Sequence, residues 1–341
     1  MKLILHAGMA KTGTSSIQKT LWSLQHQSSL PDGYQYPSEF GTWNASFNLI
    51  HSFENKESKH LQRLQKFFQG SASTRILSAE VLSNPAKRGV VVRKGLSDFL
   101  RSHDYSAVIY LYIRPPLSFM TSLFIQQLKM GIRRPEGKLF SWPNYRARIT
   151  GLQEFARTCS FSQPNRLELV PFLSSRLISN DVTLDFLARI GISVQPEAVV
   201  RINESLSLEA VSLLYLENQE LVRKSTPTYQ QQRLKGYTLL QSVLKTIGSR
   251  KIRLRQSEFE AYLDRNDLDY AEQVLGCALS DTVDEQPSIS LKQLAEIGEQ
   301  SVPLLDEELV KRGVDTLNRL QAMSVAEKIH RLLVHNNIPS T

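Results

Sequence analysis

Apolar residues in the first 195 positions form two alternating patterns, short continuous runs and runs with helical spacing. The continuous runs predict strands at residues 3–5, 75–83, 107–113 and 166–172, with 75–83 buried and 107–113 a central parallel strand. Apolar residues three and four positions apart predict helices at residues 17–24, 61–68, 97–101, 117–130 and 181–190. This alternation predicts an α/β fold, built on a doubly wound parallel sheet flanked by helices.

After Pro196 the apolar spacing is helical throughout. It predicts helices at residues 207–222, 237–247 and 258–263, and two or three more beyond Pro287. One of the last helices is predicted to begin at Ser324, because Glu327 follows it with the spacing of a capping box. We therefore expect a domain over residues 1–282, with a sheet core in about 1–195 and a helical part in about 196–282, and then a helical C-terminal extension over 283–341.

The stretch over residues 8–16, with the sequence GMAKTGTSS, joins the first predicted strand to the first predicted helix. A strand, a glycine-bounded loop and a helix in this order aim backbone N–H groups and a helix N-terminus at one point. Such a point is an anion site, usually for phosphate, so we expect a P-loop-like sheet. The structural alternative is a glycine turn that merely joins strand to helix, and the hydroxyl groups and the lysine inside the loop weigh against it.

This loop departs from the nucleotide P-loop pattern G-x-x-x-x-G-K-[ST] at one position. Gly8 and Gly13 keep the glycine spacing and Ser15 holds the hydroxyl position, but Thr14 takes the place of the lysine. The lysine stands two places before the second glycine instead, as Lys11. An ATPase or kinase depends on that lysine for its β- and γ-phosphates, so the displacement weighs against triphosphate chemistry. A P-loop-type kinase using ATP and Mg²⁺ stays as the alternative.

The chain of 341 residues carries 41 Lys+Arg against 33 Asp+Glu, a net charge of +8 at pH 7. This excess suits an anionic ligand, an acidic glycan or a nucleic acid equally well. Because the basic residues are dispersed and no motif that reads DNA or RNA is present, we expect no nucleic-acid partner. Cys159 and Cys277 are far apart and lack metal-ligand spacing, which favours a reducing compartment and gives no indication of a metal site.

The longest continuous apolar run, residues 107–113, is far shorter than the about 20 residues that a membrane-spanning helix needs. The first predicted strand begins within two residues of the N-terminus, so we expect no cleavable signal segment. Together these features predict a cytoplasmic protein without a membrane span.

A second candidate phosphate contact follows the strand predicted at residues 107–113. Arg114 stands at the end of that strand, and Ser122 follows eight residues later in the next predicted helix. An arginine can bind a phosphate with two charge-assisted hydrogen bonds, and a serine can add a donor. Taken alone, the pair is equally well explained by a strand-end arginine and an ordinary helix serine.

The two motifs together resemble those of sulfotransferases that use 3′-phosphoadenosine-5′-phosphosulfate (PAPS). The sequence KTGTS at residues 11–15 is similar to the family's 5′-phosphosulfate loop, and R-x-P followed by a serine is similar to its 3′-phosphate motif. Residues 6–8, 78–80, 126–129 and 203–207 resemble one bacterial, carbohydrate-type branch, and the resemblance covers roughly residues 1–280. The cofactor-binding residues that it implies are Lys11, Thr12, Gly13, Thr14, Ser15, Ser16, Arg114 and Ser122.

The resemblance implies transfer of a sulfuryl group from PAPS to an acceptor hydroxyl, with 3′,5′-bisphosphate (PAP) as the product and no metal. The branch favours a carbohydrate or glycoconjugate acceptor. The R-K-G-x-x-G loop of small-molecule sulfotransferases has no counterpart near the C-terminus, which weighs against phenol or steroid acceptors. The acceptor itself and the oligomeric state stay open.

Three residues are candidates for the chemical step. Lys11 is expected to stabilise charge on the transferring group. Glu80, predicted at the carboxyl end of a strand, is the first choice for the base that deprotonates the acceptor, and His51 is the second. A structural ion pair explains Glu80 about as well, and a surface or packing role explains His51 better.

Overall fold

The computed structural model describes residues 2–101, 106–131, 144–159, 166–202, 205–224, 231, 233, 235–259, 262–280 and 288–335. The chain forms two compact units, each drawn from three segments. The first unit comprises Met1–Pro116, Pro143–Asn203 and Asp264–Thr282. The second comprises Leu117–Trp142, Glu204–Leu263 and Val283–Thr341. The predicted boundary after residue 282 stays a prediction.

The first unit is built on a five-stranded sheet in which every strand pair is parallel. The strands are β1 Lys2–His6, β2 Tyr34–Gln35, β3 Thr74–Ser78, β4 Ser106–Ile113 and β5 Arg166–Pro171. Their order across the sheet is β2-β3-β1-β4-β5, so β1 is central and pairs with β3 and β4. The predicted α/β class with a parallel sheet is confirmed. The strand predicted at residues 75–83 is shorter than expected, because a 3-10 turn, Glu80–Ser83, follows β3.

Helices flank this sheet and make up the C-terminal part of the chain, as predicted. In chain order the first eight are α1 Thr14–His26, α2 Ala45–Phe53, α3 Ser58–Gln69, α4 Lys87–Leu100, α5 Pro116–Met130, α6 Tyr145–Cys159, α7 Val182–Arg189 and α8 Leu208–Lys224. The helices that follow are Tyr237–Leu244, Arg265–Leu275, Leu291–Lys311, Leu317–Gln321 and Val325–His335. None of these described helices has both the length and the apolar composition that crossing a bilayer requires.

The apolar residues that are spaced three and four apart in α1 pack into the core beside the sheet. Ile17, Leu21 and Leu24 are buried in one cluster with Ile4 of β1 and Phe186 of α7. Burying an aliphatic or aromatic side chain of this size contributes about 1.5–3 kcal/mol. The packing therefore fixes α1, and with it the loop that precedes α1, against the central strand.

The second unit is mainly helical in its described parts and contains a buried ion pair. Glu217 on α8 accepts a hydrogen bond of 2.6 Å from Arg233, and both side chains are buried. The capping box predicted at the start of the last helix is confirmed, since Ser324 N donates to Glu327 Oε2 and Glu327 N donates to Ser324 Oγ. The helix predicted at residues 258–263 includes two residues outside the described ones, and a 3-10 turn, Gln256–Glu258, stands at its start.

Candidate anion-binding site

The loop predicted to bind an anion lies between β1 and α1, at the carboxyl end of the central strand. Because the strands are parallel, the carboxyl ends of the two neighbouring strands lie at the same edge. Glu80 comes two residues after β3 ends, and Arg114 directly follows β4. In open parallel sheets this edge is where ligands bind.

Two residues of the loop have a left-handed backbone. Gly13 precedes α1 with φ 74° and ψ 12°, and a Cβ at this position would lie 2.5 Å from Val182 Cγ1. Glycine is therefore required there for both its conformation and its size. Lys11 has a φ of 68°, a conformation that costs energy for a residue with a side chain. Left-handed residues in such a turn can point successive N–H groups to one side, which is the geometry of an anion-binding nest.

Side-chain hydrogen bonds hold this backbone in place. The hydroxyl of Thr12 donates to the carbonyl of Met9 at 2.6 Å, and Ser83 Oγ donates to the carbonyl of Gly8 at 2.9 Å. Ser16 Oγ accepts a bond of 3.2 Å from the backbone N–H of Ile202. Two hydroxyls assigned to ligand binding, those of Thr12 and Ser16, thus stabilise the shape of the loop.

His6, the last residue of β1, lies beneath the loop and is completely buried. Its Nδ1 lies 2.7 Å from Ser78 Oγ, and its ring packs against the ring of Phe186 at 4.9 Å. Burial lowers the pKa of His6 to about 3, so the ring is neutral. In the described part of the chain, His6 Nε2 and the hydroxyl of Thr14 are both buried without a hydrogen-bond partner. A Cβ at Gly8 would overlap both of these side chains. Glycine is therefore required at position 8 as well as at position 13.

Lys11 places an ammonium group in partly desolvated surroundings at the loop. Burial lowers the pKa of Lys11, Glu80 opposes this shift, and the neighbouring Arg114 adds to it. Among the described residues, no carboxylate forms a direct ion pair with Lys11. A partly desolvated cation of this kind is stabilised by an anionic ligand.

Arg114 lies directly beside the loop. Its guanidinium donates a hydrogen bond to the backbone carbonyl of Lys11 and stands 5.3 Å from the ring centre of Phe172, within cation–π distance. Its own carbonyl accepts a bond of 2.5 Å from the hydroxyl of Tyr145. The structure thus brings the two predicted cations, Lys11 and Arg114, together at one loop.

Glu80 faces two cations. The residue is exposed as a whole, but the surrounding protein desolvates its carboxylate and raises its pKa, while Lys11 and Arg148 lower it. Arg148, on α6, donates to the carbonyl of Ser83 at 3.2 Å. A carboxylate with a raised pKa beside a cationic loop has the properties of a general base for a bound hydroxyl.

His51, the second choice for a base, takes part in a different group of residues. It lies on α2, where its Nδ1 contacts Glu57 Oε1 and the amide of Asn55. Its ring packs against the rings of Phe47 and His60 at 4.2 and 4.9 Å. In the described part of the chain, all of these partners belong to α2, α3 and the turn between them.

The remaining predicted residues are Ser15 and Ser122. Ser15 lies in the first turn of α1 and is partly exposed. Ser122 is partly buried on α5, in the second compact unit. Sequence analysis missed Arg148 and Ser83, which carry no motif and reach the loop through the packing of α6 and of the 3-10 turn after β3.

Comparisons of the chain with protein-family models, with curated proteins and with solved structures find no match. The protein is therefore classified by its own structure. It is an α/β protein with a parallel sheet and a cationic, glycine-bounded loop at the carboxyl end of its central strand.

Proposed function

We propose that the β1–α1 loop binds the phosphate end of a nucleotide, on a doubly wound sheet of P-loop-like type. Four features support this class: the loop's place before a helix N-terminus, the left-handed Lys11 and Gly13, the desolvated ammonium group, and Arg114 beside it. The first N–H groups of a helix have no partner inside the helix, and together with the positive dipole end they favour an anion.

Within that class, the protein is proposed to be a PAPS-dependent sulfotransferase. The observation that carries this proposal is the position of the loop's lysine. A triphosphate enzyme needs its lysine at position 14, but Thr14 is buried and its hydroxyl lies against Gly8. The cation stands at Lys11 instead, where the resemblance to the 5′-phosphosulfate loop requires it.

In the proposed reaction the acceptor oxygen forms a bond to sulfur, and the bond between sulfur and the bridging oxygen of the 5′-phosphate breaks. Lys11 would stabilise the negative charge that develops on the leaving oxygen, together with backbone N–H groups of the loop. Glu80 would accept the proton of the acceptor hydroxyl, aided by its raised pKa. The donor set of Lys11, Arg114 and N–H groups fits an anionic nucleotide. The reaction is balanced without a metal, and the pairing of Ser122 with Arg114 on a 3′-phosphate stays a prediction.

The acceptor is proposed to be a hydroxyl of a carbohydrate or glycoconjugate. This part of the proposal rests on the similarity to the carbohydrate-type branch. Release of PAP in the presence of PAPS and a panel of mono- and oligosaccharides would identify the acceptor class, with Lys11→Ala as the inactive control.

One observation favours a different function. Gly8 and Gly13 keep the spacing of a nucleotide P-loop, with Ser15 at the position of the hydroxyl that holds Mg²⁺. A kinase of a nucleotide or small metabolite would share these features and would differ by binding ATP with Mg²⁺.

Calorimetric titration with PAP, and separately with ATP and Mg²⁺, separates the two functions. We expect PAP to bind tightly and ATP–Mg²⁺ weakly. Arg114→Gln should lose most of the PAP affinity. Lys11→Ala should retain PAP binding but lower turnover by about 100-fold or more, since it removes a charge that acts on the transition state.

Two variants serve as matched controls. Lys19→Ala removes a lysine from α1 that lies 6.0 Å from the ring centre of Trp43, and Arg176→Ala removes an exposed arginine from the same unit. Both should bind PAP like the wild type. Binding of ATP–Mg²⁺ without binding of PAP would replace the proposal by the kinase alternative, and unchanged turnover in Lys11→Ala would remove Lys11 from the mechanism.

A further inference from the structure

Two histidines and a glutamate converge where α2 meets α3. His51 is on α2, Glu57 immediately precedes α3, and His60 is in the first turn of α3. One imidazole nitrogen from each histidine and a carboxylate oxygen all lie within 4.8 Å of one another. His60 Nε2 is 3.5 Å from Glu57 Oε2, close to the about 3.3 Å that separates two ligand atoms on one tetrahedral zinc ion.

A buried asparagine fixes which nitrogen of His60 faces the glutamate. Asn48 is completely buried, and its Nδ2 donates to the carbonyl of Phe40 at 3.5 Å. The Asn48 Oδ1 atom is therefore left to accept from His60 Nδ1, at 2.7 Å. When His60 is neutral, the proton lies on Nδ1, so the lone pair of Nε2 points towards Glu57. A carbonyl or carboxamide oxygen bound to the second ring nitrogen is the usual partner of a metal-ligating histidine.

The positions of the two imidazoles also suit a shared cation. The Nδ1 atom of His51 contacts Glu57 Oε1, and His60 Nε2 faces the other carboxylate oxygen, Oε2. One carboxylate is therefore approached by a ring nitrogen from each of the two helices.

The surrounding charged side chains leave room for a cation between Glu57 and His60. The ammonium group of Lys59 lies 3.4 Å from Glu57 Oε2, but this lysine side chain is 68 % exposed and can move into solvent. Arg63, the other cation that acts on His60, donates instead to the carbonyl of Phe40 at 3.2 Å. A divalent ion bound to Glu57 and His60 would replace the contact of Lys59.

We infer that His51, Glu57 and His60 bind a divalent transition-metal ion of the zinc type. Two imidazole nitrogens and one carboxylate oxygen are a common zinc donor set, with a fourth position left to water. Because His51 belongs to α2 and the other two ligands stand at the start of α3, the ion would cross-link the two helices. The site is independent of the proposed transfer reaction, which needs no metal.

Competition with a chromophoric chelator would measure binding of Zn²⁺ to protein freed of metal. We expect one Zn²⁺ per chain and an increase in melting temperature on its addition. Co²⁺ in place of Zn²⁺ should give the visible absorption of a tetrahedral nitrogen–oxygen site. His51→Ala and Glu57→Gln should each weaken Zn²⁺ binding at least about tenfold, and their partly exposed positions make both variants compatible with folding.

The matched control is His26→Ala, which removes an exposed histidine that packs on Trp22 in α1. It should bind Zn²⁺ like the wild type, and all of these variants should bind PAP equally. The inference would be overturned if the wild type bound no Zn²⁺ with saturation. It would also be overturned if Glu57→Gln and His51→Ala bound Zn²⁺ as well as the wild type, or if His26→Ala lost binding to the same extent.

Discussion

At the scale of single residues, the sequence predicted the loop and its two cations but not the residues that hydrogen-bond to the backbone around them. Lys11 and Arg114 could be predicted because each belongs to a local motif at the end of a predicted strand. Arg148 and Ser83 could not, because a hydrogen bond between α6 and the turn after β3 depends on tertiary packing. The partners of His51 are close in sequence, yet their convergence depends on the angle between α2 and α3, which no local pattern specifies.

The requirement for glycine at position 13 can be tested by adding a single methyl group. Gly13→Ala combines a left-handed φ with a contact to Val182, so we expect a loss of about 2–4 kcal/mol in the free energy of unfolding, measured with urea. Gly276→Ala is the matched control, because Gly276 has a φ of 65° but no atom near its missing Cβ. It should lose only the conformational part, about 1–2 kcal/mol. Equal losses in the two variants would show that Val182 does not restrict the loop.

At the scale of elements, continuous apolar runs predicted β1, β3 and β4, because a central parallel strand is buried on both faces. The strand β5 was also predicted, although it lies at the edge of the sheet and is only partly buried. The strand predicted at residues 75–83 was too long at its C-terminal end. Val81 and Leu82 are buried in a 3-10 turn, and an apolar run alone cannot distinguish such a turn from a strand. β2 was missed because two residues carry no period. α6 was missed although Ile149, Leu152 and Phe155 have helical spacing and are buried.

The capping box of the last helix allows a direct test at this scale. Ser324→Ala removes the hydroxyl that accepts from Glu327 N, and we expect the free energy of unfolding to fall by about 1 kcal/mol. Thr316→Ala is the control, because Thr316 stands at the start of the helix Leu317–Gln321 without a side-chain capping bond. Urea unfolding should find the control close to the wild type. A loss in Thr316→Ala as large as that in Ser324→Ala would contradict the capping role.

At the scale of the whole molecule, the sequence predicted the α/β class and the helical C-terminal part. It did not predict that each compact unit would draw on three separate segments. Periodicity is a local signal, whereas the assignment of a segment to a unit depends on contacts between residues far apart in the chain. Arg233 makes such a contact, since its guanidinium donates to the carbonyl of Leu128, which belongs to another segment of the same unit.

The stability of the whole molecule should depend on pH through His6. Its pKa is lowered from 6.5 to about 3 by burial, so below pH 6.5 the unfolded chain binds a proton that the folded protein does not. The stability due to neutral His6 is complete above pH 6.5 and is lost as the pH falls towards 3, by about 1.4 kcal/mol per pH unit.

Urea unfolding at pH 7 and pH 5.5 would measure this effect, with His6→Gln as the variant. The loss of stability on acidification should be larger in the wild type than in His6→Gln, and the contribution of the carboxylates cancels in the comparison. His26→Gln, at an exposed histidine, should behave like the wild type. Equal losses in the wild type and His6→Gln would show that His6 is protonated in the folded protein.

The closeness of Lys11 and Arg114 has a practical consequence for handling the protein. Burial lowers the pKa of Lys11 and the charge of Arg114 adds to this shift, so a small anion bound at the loop would favour the charged ammonium group. Sulfate or phosphate in a purification or storage buffer would therefore stabilise the preparation by mass action. The same ions would compete with a nucleotide, so affinities measured in phosphate buffer would be too weak, and a buffer without sulfate or phosphate suits the titrations better.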